Sequence, residues 1–328
     1  MLMEQAGDDT RFVQEVLAGV RHYQNALRSP RPEPMREILR VGRAKVTEFA
    51  TAGRPVLFVP SLINPPYVLD LAEDNSLLRW LARQGMRPLL LDWGDPRDGG
   101  ADLSVAGHVE TYLSPIVEQL GSDLVLAGYC LGGTMALAAA ALKPVAGLVL
   151  IAAPWNFQCY PEDMPDAFGK IWDAGKTPAE MLGVFPMEML QNVFWRLDPR
   201  RTLTKFASFG RMDPGTPEAR AFVMLEDWAN EGPPLTVPAA RELFEGLFAA
   251  NLTGTGAWQV GGASIDPDAL DCPVFNIIST TDKIVPAATA AAIGERLVLS
   301  QGHVGMIIGG RAQELLWRPL HRWLSQVR

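Results

Sequence analysis

Residues Gly128-Tyr129-Cys130-Leu131-Gly132-Gly133 constrain this chain more than any other stretch. They set one cysteine in a turn of small residues, between the apolar run Leu124–Ala127 and the helix-forming run Met135–Leu142. A strand that turns directly into a helix crowds the backbone on both sides of the turn residue, so small residues are required two before it and two after it. Gly128 and Gly132 hold those positions. The pattern predicts a nucleophile elbow with sulfur in place of the usual serine oxygen. It puts the thiol at a helix N-terminus, where unpaired amides and the helix dipole favour thiolate. The plainer alternative, one more buried small hydrophobe, leaves the flanking glycines unexplained. The turn reads as built for covalent acyl chemistry.

Around the elbow, short apolar runs alternate with helical stretches from Pro55 onward. Strands are expected at Val56–Val59, Pro88–Leu91, Leu124–Ala127, Val145–Ile151, Val274–Ser279 and Arg296–Leu299, and helices at Asn75–Gln84, Val105–Gln119, Leu131–Leu142, Ala287–Ile293 and Ala312–Leu324. Repeated βαβ units give an α/β fold with a mostly parallel sheet and helices on both faces. Between Trp155 and Asp271 the alternation stops. That segment carries Trp155, Trp172, Trp195, Trp228 and Trp258 among many Met and Phe, and reads as a large cap insertion over the site, with each aromatic most simply part of the cap's own core. Ahead of the core, Phe12, Val13, Val16, Leu17, Val20, Tyr23 and Leu27 recur at helical spacing, followed by the proline-spaced Ser29–Pro34. The expected organisation is an N-terminal helix and linker at 1–54, a core at 55–154, the cap at 155–271 and the rest of the core at 272–328.

Bulk properties remove several function classes. The formal net charge of −8, with no long Lys/Arg run, argues against a nucleic-acid partner. Cys130, Cys159 and Cys272 are odd in number and lack metal-ligand spacing, so neither a disulfide framework nor a metal site is expected, and a reducing cytoplasm fits. The first ten residues have no basic and apolar leader pattern, and no stretch reaches about 18 uncharged apolar residues, so no secretion signal or membrane span is expected.

A cysteine nucleophile needs a base and a group that orients the base. Of the four histidines, His22 and His108 sit on predicted helices and read as solvated, and His321 lies on an amphipathic helix. His303 stands in the glycine-flanked loop Ser300–Gly305, directly after the run Leu297–Leu299. Asp282 follows the strand Val274–Ser279, and loops at the carboxyl ends of parallel strands are where such sheets carry chemistry. The order Cys130, Asp282, His303 fits the nucleophile–acid–histidine order of α/β-hydrolases. The oxyanion hole should use the Leu131 amide and a second amide from Pro60–Asn64. Leu62, Ile63 and Asn64 are the candidates there, with Ile63 the choice and Asn64 able instead only to shape the turn.

Gly-Tyr-Cys-Leu-Gly-Gly resembles both dienelactone hydrolases and polyhydroxyalkanoate synthases. The bulky insertion between nucleophile and acid departs from the compact hydrolases. Val59-Pro-Ser-Leu-Ile-Asn64, Leu69-Asp-Leu71, Asn75-Ser-Leu77, Arg79-Trp-Leu81, Leu91-Asp-Trp-Gly94, Thr281-Asp-Lys-Ile-Val-Pro286 and Gly302-His-Val-Gly305 are similar to the synthase core. The resemblance implies Cys130 as the acyl-accepting nucleophile, His303 as its base, and Asp282 as a helper in deprotonating the substrate hydroxyl during elongation. It implies 3-hydroxyacyl-CoA as substrate, polyester as product and no cofactor. Lacking the long N-terminal domain of the large synthases, the chain is most similar to the short class III and class IV subunits. A second synthase subunit, a homodimer and a polyester granule surface are the partners this reading allows. The segment Met35–Thr51 departs from the short synthases' usual lead-in. A hydrolase of thioesters or polyester oligomers using the same three residues is the main rival, and a non-catalytic granule-associated protein would require a broken triad.

Overall fold

Val56–Val59 and Leu124–Ala127 are apolar without alternation, the pattern of strands covered on both faces. In the computed structural model, which describes residues 9–100, 102–191 and 199–327, they lie at the centre of an eight-stranded sheet. The strands are β1 (Arg36–Val41), β2 (Ala44–Glu48), β3 (Pro55–Val59), β4 (Arg87–Asp92), β5 (Val125–Tyr129), β6 (Gly147–Ile151), β7 (Val274–Ser279) and β8 (Glu295–Leu299). Their spatial order is β1-β2-β4-β3-β5-β6-β7-β8. The β1–β2 and β2–β4 pairs are antiparallel and the others parallel.

Helices close both faces. On one side α2 (Leu77–Arg83) and the C-terminal helix Arg318–Leu324 pack Leu78, Leu81, Leu320 and Leu324 against Phe58, Val125, Val149 and Ile277. On the other, α3 (Leu131–Leu142) and the helical stretch from Val105 to Leu120 cover Leu57, Leu89, Leu126 and Leu150. Each such aliphatic side chain contributes about 1.5–3 kcal/mol by leaving water.

Register decides what meets at the top of the sheet. Val59 of β3 is opposite Gly128 of β5, which brings the Pro60–Asn64 loop beside Cys130. Ser279 of β7 is opposite Leu299 of β8, so the chain leaves for Asp282 and His303 from neighbouring strand ends.

Three expectations need correction. Residues 36–48 are not linker but the edge strand β1 and its neighbour β2, because Ala44, Val46 and Glu48 turn inward and the buried Glu48 carboxylate is held by Arg36 (2.5 Å) and Arg87 (2.6 Å). Ala287–Ile293 forms only a short turn, Ala287–Thr289, since its carbonyls serve other segments. Thr289 O accepts the amides of Trp155 and Asn156, both at 2.8 Å, and Ala291 O accepts from Asn276 Nδ2. His108 is buried rather than solvated. Its Nδ1 donates to Ser104 O (2.7 Å) and its Nε2 accepts from Arg43 (2.9 Å), so the ring is neutral.

The cap contains α4 (Asp163–Leu182), α5 (Pro199–Phe209) and α6 (Pro217–Asn230). Phe168 stacks on Phe248 and Trp172 on Phe244, and these rings are continuous with the buried core over the sheet rather than a separate core of the cap as expected; Trp195 lies outside the described residues. The N-terminal helix α1 (Thr10–Asn25) packs on α5 at Gly19, where a Cβ would overlap the Phe206 carbonyl.

Burial pulls the His108 pKa down to about 4, against the Ser104 hydrogen bond and with help from the Arg43 charge. Between its ordinary value of about 6.5 and 4 the unfolded chain takes up a proton that the folded one refuses, so stability falls as pH falls through this window. Denaturant melts at pH 7 and pH 5 should show His108→Gln losing about 2 kcal/mol less than wild type on acidification. Equal losses would place the titration elsewhere.

Candidate active site

Cys130 joins β5 to α3 with φ +57° and ψ −133°, a left-handed conformation costing a non-glycine residue about 1–3 kcal/mol. Its amide donates to Ile151 O (3.0 Å) and its carbonyl accepts from Gly133 N (2.8 Å), which hold the turn. A Cβ on Gly128 would strike the backbone of Gly132 and Gly133, and one on Gly132 the carbonyls of Val59 and Pro60. The small residues are therefore demanded by backbone contact.

His303 and Asp282 meet at this turn. His303 Nδ1 lies 2.6 Å from Asp282 Oδ2, and Asp282 Oδ1 accepts the amides of Ile284 (2.8 Å) and Val285 (2.9 Å). The Asp282 carboxylate is fully covered and the His303 imidazole nearly so, with 0% and 7% of the side chains exposed. With Nδ1 engaged by Asp282, the ring also feels the Cys130 side chain beside it. Burial alone would lower the His303 pKa, but the charges of Asp282 and Cys130 and their hydrogen bonds outweigh it and raise it to about 10.

Sequence reading missed Tyr129. It stacks on His303 (ring centroids 4.9 Å apart, planes at 24°) and its hydroxyl donates to His303 O (3.3 Å). Burial, with the charges of Cys130 and Asp282, holds its phenol protonated well above the ordinary range. Its place beside the nucleophile was visible, but a stacking partner 174 positions away was not. Tyr160, at the start of the cap, is buried and feels the same two charges.

The other sulfurs and histidines lie apart. Cys159 is exposed, and burial raises the Cys272 thiol. His22 stacks on Phe209 of α5, and His321 meets Trp80 edge-on.

The Pro60–Asn64 loop corrects one assignment. The Ile63 amide donates to Ser61 Oγ (3.0 Å), closing a side-chain turn, so it is not turned to the thiol as expected. The Leu62 amide has no protein acceptor among the described residues, and Leu131 is the first residue of α3, whose amide has none within the helix. Trp93 Nε1 donates to Pro60 O (3.0 Å) from beneath the loop. A cleft of about 650 Å³ lies beyond it, lined by Ser61, Leu62, Asn64, Trp93, His108 and Glu231, but Cys130 and His303 do not line it. Its size therefore does not make it the place of chemistry. Among the described residues no three His, Cys, Asp or Glu side chains are grouped to hold a metal ion, and no helix is long and apolar enough to cross a membrane.

Comparison with known proteins places this geometry. The family model of the α/β hydrolase fold matches residues 79–307, and that of the poly-beta-hydroxybutyrate polymerase N-terminus matches residues 37–81. The second match covers most of the Met35–Thr51 segment that had looked foreign to that family. The poly(3-hydroxyalkanoate) polymerase subunit of Thiocystis violacea is 27% identical over 83% of this chain and 81% of its own length. That of Haloferax mediterranei is 27% identical over 83% of this chain and 58% of its own. Among solved structures, an esterase from Thermogutta terrifontis superposes with TM-score 0.55 at 16% identity, over 89% of this chain and 99% of that one. A putative bromoperoxidase from Mycobacterium tuberculosis gives 0.56 at 15%, over 92% and 99%. These likenesses are to the fold.

The His303 environment has a measurable sign. With its folded pKa raised to about 10, its stabilising contribution is complete below about 6.5 and is lost as pH rises through 10. Nitrogen-15 NMR should find the ring doubly protonated at pH 8, with the titration moving to lower pH in Cys130→Ala. A neutral ring at pH 8 in wild type would refute the charged pair.

Proposed function

Because this chain belongs to the α/β-hydrolase family and is related to poly(3-hydroxyalkanoate) polymerase subunits, we propose that it is an acyltransferase polymerising 3-hydroxyacyl groups from coenzyme A thioesters. The observation that carries the reading is the line Cys130, His303, Asp282 at a strained elbow, in a chain related to those polymerases. His303 takes the thiol proton and the thiolate attacks the substrate carbonyl. The oxyanion is met by the amides of Leu131 and Leu62, and coenzyme A leaves with the proton returned by His303. The acyl group is then a thioester on Cys130, an exchange nearly neutral in free energy. Attack by the hydroxyl of the next hydroxyacyl unit, its proton passing to His303, forms an ester and breaks the Cys130 thioester, and the departing sulfur regains the proton from His303; this step is downhill.

Asp282 acts through His303 in this scheme. One of its oxygens holds the imidazole, the other holds two amides, and its side chain is fully covered, which leaves no edge for a substrate hydroxyl. It fixes the ring and stabilises its charge. The cap excludes water from the acyl-enzyme, which is what separates a polymerase from a hydrolase on the same scaffold. No cofactor is needed beyond the acyl-CoA substrate. We place the protein in the cytoplasm at a polyester granule surface, with a second synthase subunit or another copy of itself as partner.

Purified protein given 3-hydroxybutyryl-CoA should release coenzyme A and form ester-linked oligomers, and Cys130→Ala should do neither. Free 3-hydroxybutyrate as the sole product would make the protein a hydrolase. Asp282→Asn should slow acylation and elongation together, by about 10²-fold or more, as loss of an orienting carboxylate does elsewhere. Normal acylation with slow elongation in single-turnover labelling would give Asp282 the direct role in hydroxyl deprotonation.

A further inference from the structure

The last turn of cap helix α6 is held from two sides. Its final carbonyls have no partners within the helix, and the Asn64 side chain supplies donors. Asn64 Nδ2 lies 3.1 Å from Glu231 O, 3.3 Å from Ala229 O and 3.4 Å from Trp228 O. In return Trp228 Nε1 donates to Pro65 O at 2.8 Å. The backbones are close enough that a Cβ on Gly232 would stand 3.3 Å from the Asn64 Cα. From the opposite side Asp227 accepts Tyr23 Oη (2.6 Å) and two nitrogens of Arg28 (3.1 Å each), and Glu231 accepts Tyr67 Oη (3.0 Å) and pairs with Arg31.

Asn64 also ends the Pro60–Asn64 loop, in a left-handed conformation of φ +67°. Its neighbours fix the other points of that loop: Trp93 at Pro60 and Ser61 at Ile63. Among the described residues the Leu62 amide between them has no protein acceptor, nor do the amides of Ser61 and Asn64, whereas that of Ile63 is taken. We propose that Asn64 is a positioning residue for acyl transfer. By gripping the carbonyl end of α6 it sets the angle at which the Leu62 amide meets the carbonyl attacked by Cys130, and the Tyr23–Arg28–Asp227 brace acts on the site through the same helix end. The inference rests on the assignment of Leu62 and Leu131 as oxyanion donors. It needs only that Cys130 be acylated, whatever accepts the acyl group afterwards.

Two variants keep the backbone and remove the donors. Asn64→Gly suits a positive φ, and Asn64→Asp keeps the size and tolerance of that conformation. Acylation is read as the burst of nitrophenol from 4-nitrophenyl butyrate, and the state of the thiol as its alkylation by iodoacetamide, which needs no oxyanion hole. Both variants should slow the burst by about 10- to 100-fold, the scale of a misplaced catalytic contact, with KM and the alkylation rate unchanged. Asp227→Asn should slow the burst by about threefold alone and add nothing in the Asn64→Gly background, as coupled positions do. A normal burst in both Asn64 variants would overturn the proposal, as would alkylation falling in step with the burst or additive effects of Asn64 and Asp227. A wild-type burst with no polymer from 3-hydroxybutyryl-CoA would remove the polymerase reading and leave this one standing.

Discussion

The first turn of α3 rests on backbone alone. The carbonyl oxygens of Val59 and Pro60 occupy the place a Cβ on Gly132 would need, and Gly128 meets Gly133 in the same way. This contact joins β3, β5 and α3 without intervening side chains, so the nucleophile, its helix N-terminus and the Pro60–Asn64 loop keep fixed relative positions. The strain at Cys130 persists because the turn is over-determined. Leu126 and Leu137, wholly buried on either side of it, offset more than the strain costs.

From that turn outward the structure divides into a rigid half and a held half. Asp282 and His303 hang from the adjacent ends of β7 and β8, and their geometry follows from sheet register. The loop opposite leaves β3 in register with β5, but past Pro60 no strand pairing holds it. It is held by single contacts, Trp93 at one end and Asn64 at the other. The electrostatics follow the same division. Two histidines are buried in this molecule with opposite consequences: burial lowers the proton affinity of His108, with Arg43 adding to it, while at His303 the charges and hydrogen bonds of Asp282 and Cys130 outweigh burial and raise it. Burial pulls both down, and only anionic neighbours reverse the sign.

Much of this was legible from residues close together in the chain. The elbow, the strand Val274–Ser279 and the helix Leu131–Leu142 are local patterns, and the structure has the last two with those same bounds. What failed was whatever depended on distant partners. Arg36–Glu48 carries alternating charges that look solvated until Arg36 and Arg87 neutralise Glu48 from two strands. Ala287–Ile293 has helical composition, but its carbonyls are taken by Trp155, Asn156 and Asn276. His108 lies at helical spacing from Val105 and Tyr112, both buried, so the sequence carries a burial signal for it. The Ser61 hydroxyl bends back to the Ile63 amide, a turn that residue types alone do not set. Tyr129 stands in the elbow itself, but its stacking on His303, 174 positions away, leaves no mark on local spacing.

The contact between Gly19 of α1 and Phe206 of α5 also dictates an order of assembly. Helix α1 leaves the ribosome long before the surface it packs on. At about 5–20 residues per second the wait for α5 is on the order of 10 to 40 s. Through that interval Phe12 and Val16 have no partner, because Leu203 and Ala207 do not yet exist. The closing of the N-terminal segment over the cap is therefore a late event, reached only after the sheet's first strands have paired. A chain interrupted before α5 would carry its opening helix undocked.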